Sequence, residues 1–99
     1  MQPVTSRSNR RFVEELPELL KERDLSLRKL AQAIDLNPSH LSRVLRRADY
    51  KTPSAELTRR VALALDLPPD YFPEFREAAV IAEVRANPRL RDDLYGRLK

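Results

Sequence analysis

The sequence predicts an all-α fold, on three observations. Glycine occurs once in 99 residues, at Gly96, and the aromatic residues are three Tyr and three Phe. Leucine, alanine and glutamate are frequent instead, which favours helix and gives strands little support. Apolar residues recur at three- and four-residue spacing along most of the chain, and helix-starting residues stand ahead of several of these runs.

The first eleven residues, MQPVTSRSNRR, are polar and aperiodic and are expected to form a flexible basic arm (1–11). Phe12, Leu16, Leu19 and Leu20, with Val13 beside them, then define one face of a helix within Phe12–Arg23. Pro17 interrupts it, since a proline in a helix interior removes a hydrogen bond and costs ~3 kcal/mol; a continuous but distorted helix is expected. Asp24 is expected to end it in a left-handed conformation.

Leu25–Leu45, LSLRKLAQAIDLNPSHLSRVL, reads as two short amphipathic helices joined by a tight turn. Ser26 is the N-cap of the first, and Leu27, Leu30, Ala31 and Ile34 follow at helical spacing. Asn37 caps the second, with Pro38 at the first helical position, where its missing N–H costs nothing. Leu41, Val44 and Leu45 face inward. The outer face carries Ser39, His40, Ser42, Arg43, Arg46 and Arg47, and no acid. A short helix with a polar, basic outer face is what a DNA major groove accepts.

A polar connection, RRADYKTPS, leads to Ser54, the cap of a fourth helix whose inner face is Leu57, Val61, Ala64 and Leu65, with Arg59 and Arg60 as solvated surface. Asp70-Tyr71-Phe72 is expected to form one more turn, ended by Pro73. Glu74–Ala86 is a further helix with apolar residues over a wide face (Phe75, Ala79, Val80, Ile81, Ala82, Val84). Asn87-Pro88 repeats the cap-plus-proline signature, and Leu90, Leu94 and Leu98 follow at four-residue spacing.

Composition narrows the function classes. No cysteine is present, so disulfides and thiolate metal sites are excluded; one histidine and no carboxylate cluster give no metal site either. No nucleophile–base pair or phosphate loop is recognisable, so no enzyme and no cofactor are expected. No apolar run approaches ~18 residues and the N-terminus lacks a signal-type core, so a cytoplasmic protein without membrane contact is expected. The net charge of +4 is uneven: residues 1–52 hold eleven Lys/Arg against seven Asp/Glu, and residues 53–99 hold eight against eight. The excess lies in the half that carries the basic helix, which points to a polyanion.

The run from Phe12 to Phe72 resembles the lambda-repressor/Cro-like (XRE-type) helix-turn-helix family of bacterial and phage regulators. The residues that carry the resemblance are Phe12 and Leu16, Leu25-Ser26, Leu30, Ala31, Ile34 and Leu36, then Leu41-Ser42-Arg43, Pro53-Ser54 and the closing ALALDLPPDYF. Three departures stand out. Asp35 takes the place of the usual turn glycine, Leu27 that of a phosphate-touching glutamine, and Pro38-Ser39 that of base-reading glutamines. The resemblance implies a compact five-helix helix-turn-helix domain over 12–73, followed by a C-terminal helical extension over 74–99.

Ser39, His40 and Arg43 are then the expected base contacts, Arg43 through a bidentate bond to guanine; a surface pairing with Asp49 is the competing role for Arg43. Arg28, Lys29, Asn37, Arg46, Arg47, Lys51 and Thr52 are the expected phosphate contacts. The arm offers Arg7, Arg10 and Arg11 to a backbone or minor groove. Phe75, Ala79, Ala82, Leu90, Leu94 and Leu98 form the expected dimer or partner interface. The leading expectation is a DNA-binding transcriptional regulator, a repressor in the simplest case, acting as a homodimer on double-stranded DNA. The alternative is an antitoxin-like or adaptor module whose C-terminal helices bind a partner protein.

Overall fold

The computed structural model describes residues 7–46 and 52–99. Among them are six helices and no strand: α1 (Phe12–Glu22), α2 (Leu27–Ala33), α3 (Pro38–Arg46), α4 (Ala55–Ala64), α5 (Pro73–Ala86) and α6 (Pro88–Leu98).

Local chemistry sets most helix starts. Ser26 accepts from the Lys29 N–H at 3.1 Å, Ser54 from the Leu57 N–H at 3.1 Å, and Asn87 from the Leu90 N–H at 3.2 Å. Asn37 accepts from the Ser39 N–H at 2.7 Å. Proline opens α3, α5 and α6, where no N–H is needed. Pro73 therefore begins a helix rather than ending one. The turn expected at Asp70–Phe72 is closed by a hydrogen bond from the Tyr71 N–H to the Pro68 carbonyl and is not a separate helix. α1 runs unbroken through Pro17, which lies on its exposed side, where water can replace the lost amide partner.

Three helices end by one device. Asp24, Asp35 and Asp66 have φ of 52°, 57° and 60°, and a leucine follows each. The leucine N–H reaches back five residues (Leu25 to Leu20, Leu36 to Ala31, Leu67 to Ala62), and the aspartate N–H reaches back three. These paired bonds satisfy the last carbonyls of α1, α2 and α4 in the Schellman arrangement. Leu25, Leu36 and Leu67 turn inward against the core.

The core is built from α1 (Phe12, Leu16, Leu19, Leu20), α2 (Leu30, Ala31, with Ile34 at its end), α3 (Leu41) and α4 (Leu57, Val61, Ala62, with Leu65 at its end), and is closed by Phe72. Phe72 meets Phe12 edge to face, centroids 4.8 Å apart. On α4, Ala64, expected on the inner face, is exposed, and Ala62 is buried in its place. The cause is Thr58, which is fully buried because its hydroxyl donates to the Ala55 carbonyl at 2.8 Å. With that hydroxyl satisfied, the buried stripe centres on 58, 61, 62 and 65.

Of the arm expected over 1–11, residues 7–11 are described, and they lie against the segment 70–77. Ser8 is buried and its N–H donates to the Tyr71 carbonyl at 2.9 Å; Arg76 donates to the Ser8 carbonyl. Arg7 pairs with Asp70 at 2.8 Å, and Arg11 with Glu77 at 2.6 Å. The Arg11 bond raises the guanidinium pKa and holds the Glu77 carboxyl below its usual range. α1 has no side-chain cap of its own, because Arg11 stands at the N-cap. Glu74 supplies one from α5: its Oε2 accepts from the Phe12 N–H at 2.8 Å.

The Tyr71 hydroxyl donates to Glu15 at 2.5 Å. Burial first, and then this bond to a carboxylate, raise its pKa to about 12. The free phenol titrates near ~10, so the folded state holds this proton longer than the unfolded one. The stability so gained is complete below the unfolded value and is lost as pH rises through about 12. A phenolate absorbance titration should therefore show a late-ionising step that Tyr71→Phe deletes. A titration curve left unchanged at its alkaline end by Tyr71→Phe would rule the hydrogen bond out.

Candidate nucleic-acid interface

The site is α2, α3 and the four-residue turn between them, Ile34–Asn37. Leu30 and Ala31 on α2 and Leu41 on α3 are fully buried, so the two helices share the core through a small residue and a leucine anchor. Asp35, in its left-handed conformation, performs the reversal for which glycine is usual. With Leu41 fixed inward, the opposite side of α3 is presented outward by geometry alone.

Ser39, His40, Arg43 and Arg46 are all exposed on α3. Their offsets of three and four residues place them along one face. Ser42 is half-buried beside it, and no acid occurs within α3. Arg28 and Lys29 are exposed in the first turn of α2, and Thr52 is exposed ahead of α4. Asn37 is exposed, but its Oδ1 is already engaged as a cap, so its amide nitrogen is the atom left to donate. Arg47 and Lys51, with Asp49, lie outside the described residues.

Arg60 is the residue whose role the sequence hid. It sits mid-way along α4 yet donates to the carbonyl of Ile34, at the end of α2. A cation on a helix C-terminus opposes the negative dipole end, so α4 steadies the turn that aims α3. Arg59, one position earlier, follows expectation: it pairs with Glu56 one turn back, at 2.9 Å, in solvent.

The arm arginines are directed elsewhere. Arg7 and Arg11 face acids of the segment 70–77, and Arg10 lies 3.5 Å from Glu15 of α1.

On the C-terminal helices, Phe75, Leu90 and Leu94 are half-buried, and Ala79, Ala82 and Leu98 are exposed. The larger apolar side chains left in solvent are Val80, Ile81, Tyr95 and Leu98, each more than half exposed. Tyr95 escaped sequence reading because it falls outside the leucine repeat. Among the described residues no group of three or more His, Cys, Asp or Glu is placed to hold a metal, and no helix is long and apolar enough to cross a membrane.

Two packed helices at a tight turn, the second with an acid-free polar face outward, constitute a helix-turn-helix DNA-binding module. The helix-turn-helix family model HTH_3 matches residues 18–72, more than half of the chain, and the protein belongs to that family. The match runs from α1 to the Phe72 that closes the core, and leaves α5 and α6 outside it. Searches among curated proteins and among solved structures returned no match. Membership in a DNA-binding family is the positive ground for reading the chain as a regulatory module without catalytic activity.

Proposed function

We propose that the protein is a sequence-specific transcriptional regulator that binds DNA as a homodimer and represses by occupying its site. The observation that carries this reading is the outer face of α3, where Ser39, His40 and Arg43 stand exposed on a helix with no acid. Arg43 reads guanine through its two-pronged guanidinium, and Ser39 and His40 reach neighbouring edges or phosphate. Arg28, Lys29, Asn37, Arg46, Arg47, Lys51 and Thr52 hold the backbone.

The dimer surface is assigned to α5 and α6. No residue of α6 is buried, and an isolated helix of eleven residues is marginal in water. Val80, Ile81, Tyr95 and Leu98 leave an apolar surface of the kind that seeks cover. Residues 73–99 carry six Lys/Arg and five Asp/Glu, so two copies meet without net repulsion. Two α3 helices would then enter successive major grooves, with half-sites about 34 Å apart.

Selection from random duplexes tests both parts. The wild type should enrich a two-fold symmetric motif, and Arg43→Ala should bind that motif about tenfold more weakly with relaxed preference at one position. Arg46→Ala should weaken all duplexes alike and lower the salt slope by about one. Ile81→Glu should give a monomer by light scattering and lose the symmetric site. An α5–α6 surface that leaves Ile81→Glu dimeric, or binds only a different protein, sinks the dimer assignment. Weak, salt-sensitive binding with no enriched motif sinks sequence-specific regulation.

A further inference from the structure

We propose that the cleft between α3 and α4 is a binding site for a small amphipathic carboxylate, an aromatic or branched-chain acid. The cleft is open to solvent and has a volume of about 580 Å³, within the span of small-molecule sites. One wall is α3, with Arg43 and Val44; the other is α4, with Leu57 and Arg60; Leu36 of the turn and Pro53 ahead of α4 complete the lining. Leu36 and Val44 pack on the core from this side and Leu57 belongs to it, so the floor is apolar and firmly backed.

Charge decides the ligand class. Among the described residues the lining carries one acid, Glu56, whose carboxylate accepts from Arg59 Nη2 at 2.9 Å and Nε at 3.0 Å. Arg60 spends one donor on the Ile34 carbonyl, and a guanidinium has five. Two arginines over an apolar floor suit a carboxylate, which accepts from the guanidinium fork, attached to a hydrocarbon body. A neutral hydrocarbon would leave the remaining guanidinium donors without an acceptor, and a bare anion would leave the floor wet.

The binding claim stands on the cleft alone. Its consequence rests on the regulator reading: Arg43 cannot serve a bound acid and a guanine together, so the acid would release DNA.

Titration of the ¹⁵N-labelled full chain with 3-phenylpropionate, with 3-phenylpropanol and with inorganic phosphate tests the site. Saturable amide shifts at Leu36, Val44, Leu57 and Arg60 are expected from the acid, with the alcohol and phosphate at least about tenfold weaker. Arg60→Gln should weaken the acid about tenfold. Thr52→Trp, an exposed residue of the lining, should block the cleft without touching the core. The proposal is overturned by no saturable shift at about 10 mM acid, by equal binding of acid and alcohol, by phosphate matching the acid, or by binding indifferent to Thr52→Trp. Added acid should also displace the selected duplex from the wild type. If the unliganded chain selects no duplex, the regulator reading fails while the titration is judged by itself; if the titration fails, the regulator reading is untouched.

Discussion

Glu74→Ala is expected to lower the unfolding free energy by about 2 kcal/mol and the midpoint by roughly 10 °C in a thermal melt. Glu74 is 3% exposed, and its Oε2 closes the first turn of α1 through the Phe12 N–H while lying 3.4 Å from Arg11. Phe12 is fully buried, so an amide freed by the substitution gains little water in return. The loss stays below that of breaking a fully buried ion pair for two reasons. Arg11 is itself 44% exposed and stays solvated when its partner goes. The other carboxylate oxygen, Oε1, is buried without a partner among the described residues, and its removal returns part of the loss. Glu74→Gln keeps one carbonyl acceptor and should lose less than half as much. Equal stability of Glu74→Ala and wild type by urea unfolding would show that the cap contributes nothing.

Replacing Asp24, Asp35 and Asp66 together by glycine is expected to stabilise the protein by about 2 kcal/mol. Each aspartate holds a left-handed φ that an L side chain adopts at a cost and glycine adopts freely. Each also places a negative charge beside the negative end of a helix, which is unfavourable by a few tenths of a kcal/mol or roughly up to one. Against this, glycine loses more chain entropy on folding, about 0.5–1 kcal/mol per site. The net is a fraction of a kcal/mol at each of three separate helix ends, summing to the stated figure where the sites are independent. A rise in the urea midpoint at unchanged slope is the expected observation. A fall would mean that the aspartate side chains make compensating bonds in solution. Asp35→Gly by itself carries functional interest, because this residue sets the angle between α2 and α3.

What sequence could and could not reveal divides by range. Ser26, Asn37, Ser54 and Asn87 act as caps, Pro38 and Pro88 open helices, and Asp24 turns left-handed, all as local spacing implied, while Asp35 turns left-handed at the position the family resemblance marks as the turn glycine. Each outcome rests on groups within a few residues of one another. The helix-turn-helix family was legible for the same reason, since its signature is a spaced set of apolar and capping positions along one stretch. Pro73 was misread because a proline after an aromatic residue looks the same whether it stops one helix or begins another.

The charged residues were harder to read. Glu74, Arg76 and Arg60 all look like surface side chains on amphipathic helices. Their partners lie 62, 68 and 26 residues away, at Phe12, Ser8 and Ile34. No local rule selects such a partner; folding does, by bringing a bare helix end or an unpaired carbonyl within reach of a charge.

The sequence by itself determined the helices, their caps and the helix-turn-helix signature, because these follow from backbone preferences and apolar spacing at short range. Only the tertiary structure decided how the segment before α1 is tied to α5, how α4 steadies the turn ahead of α3, and which apolar side chains of α5 and α6 stay in solvent. Those depend on which distant surfaces meet, and a hydrogen bond or a buried contact exists only once they do.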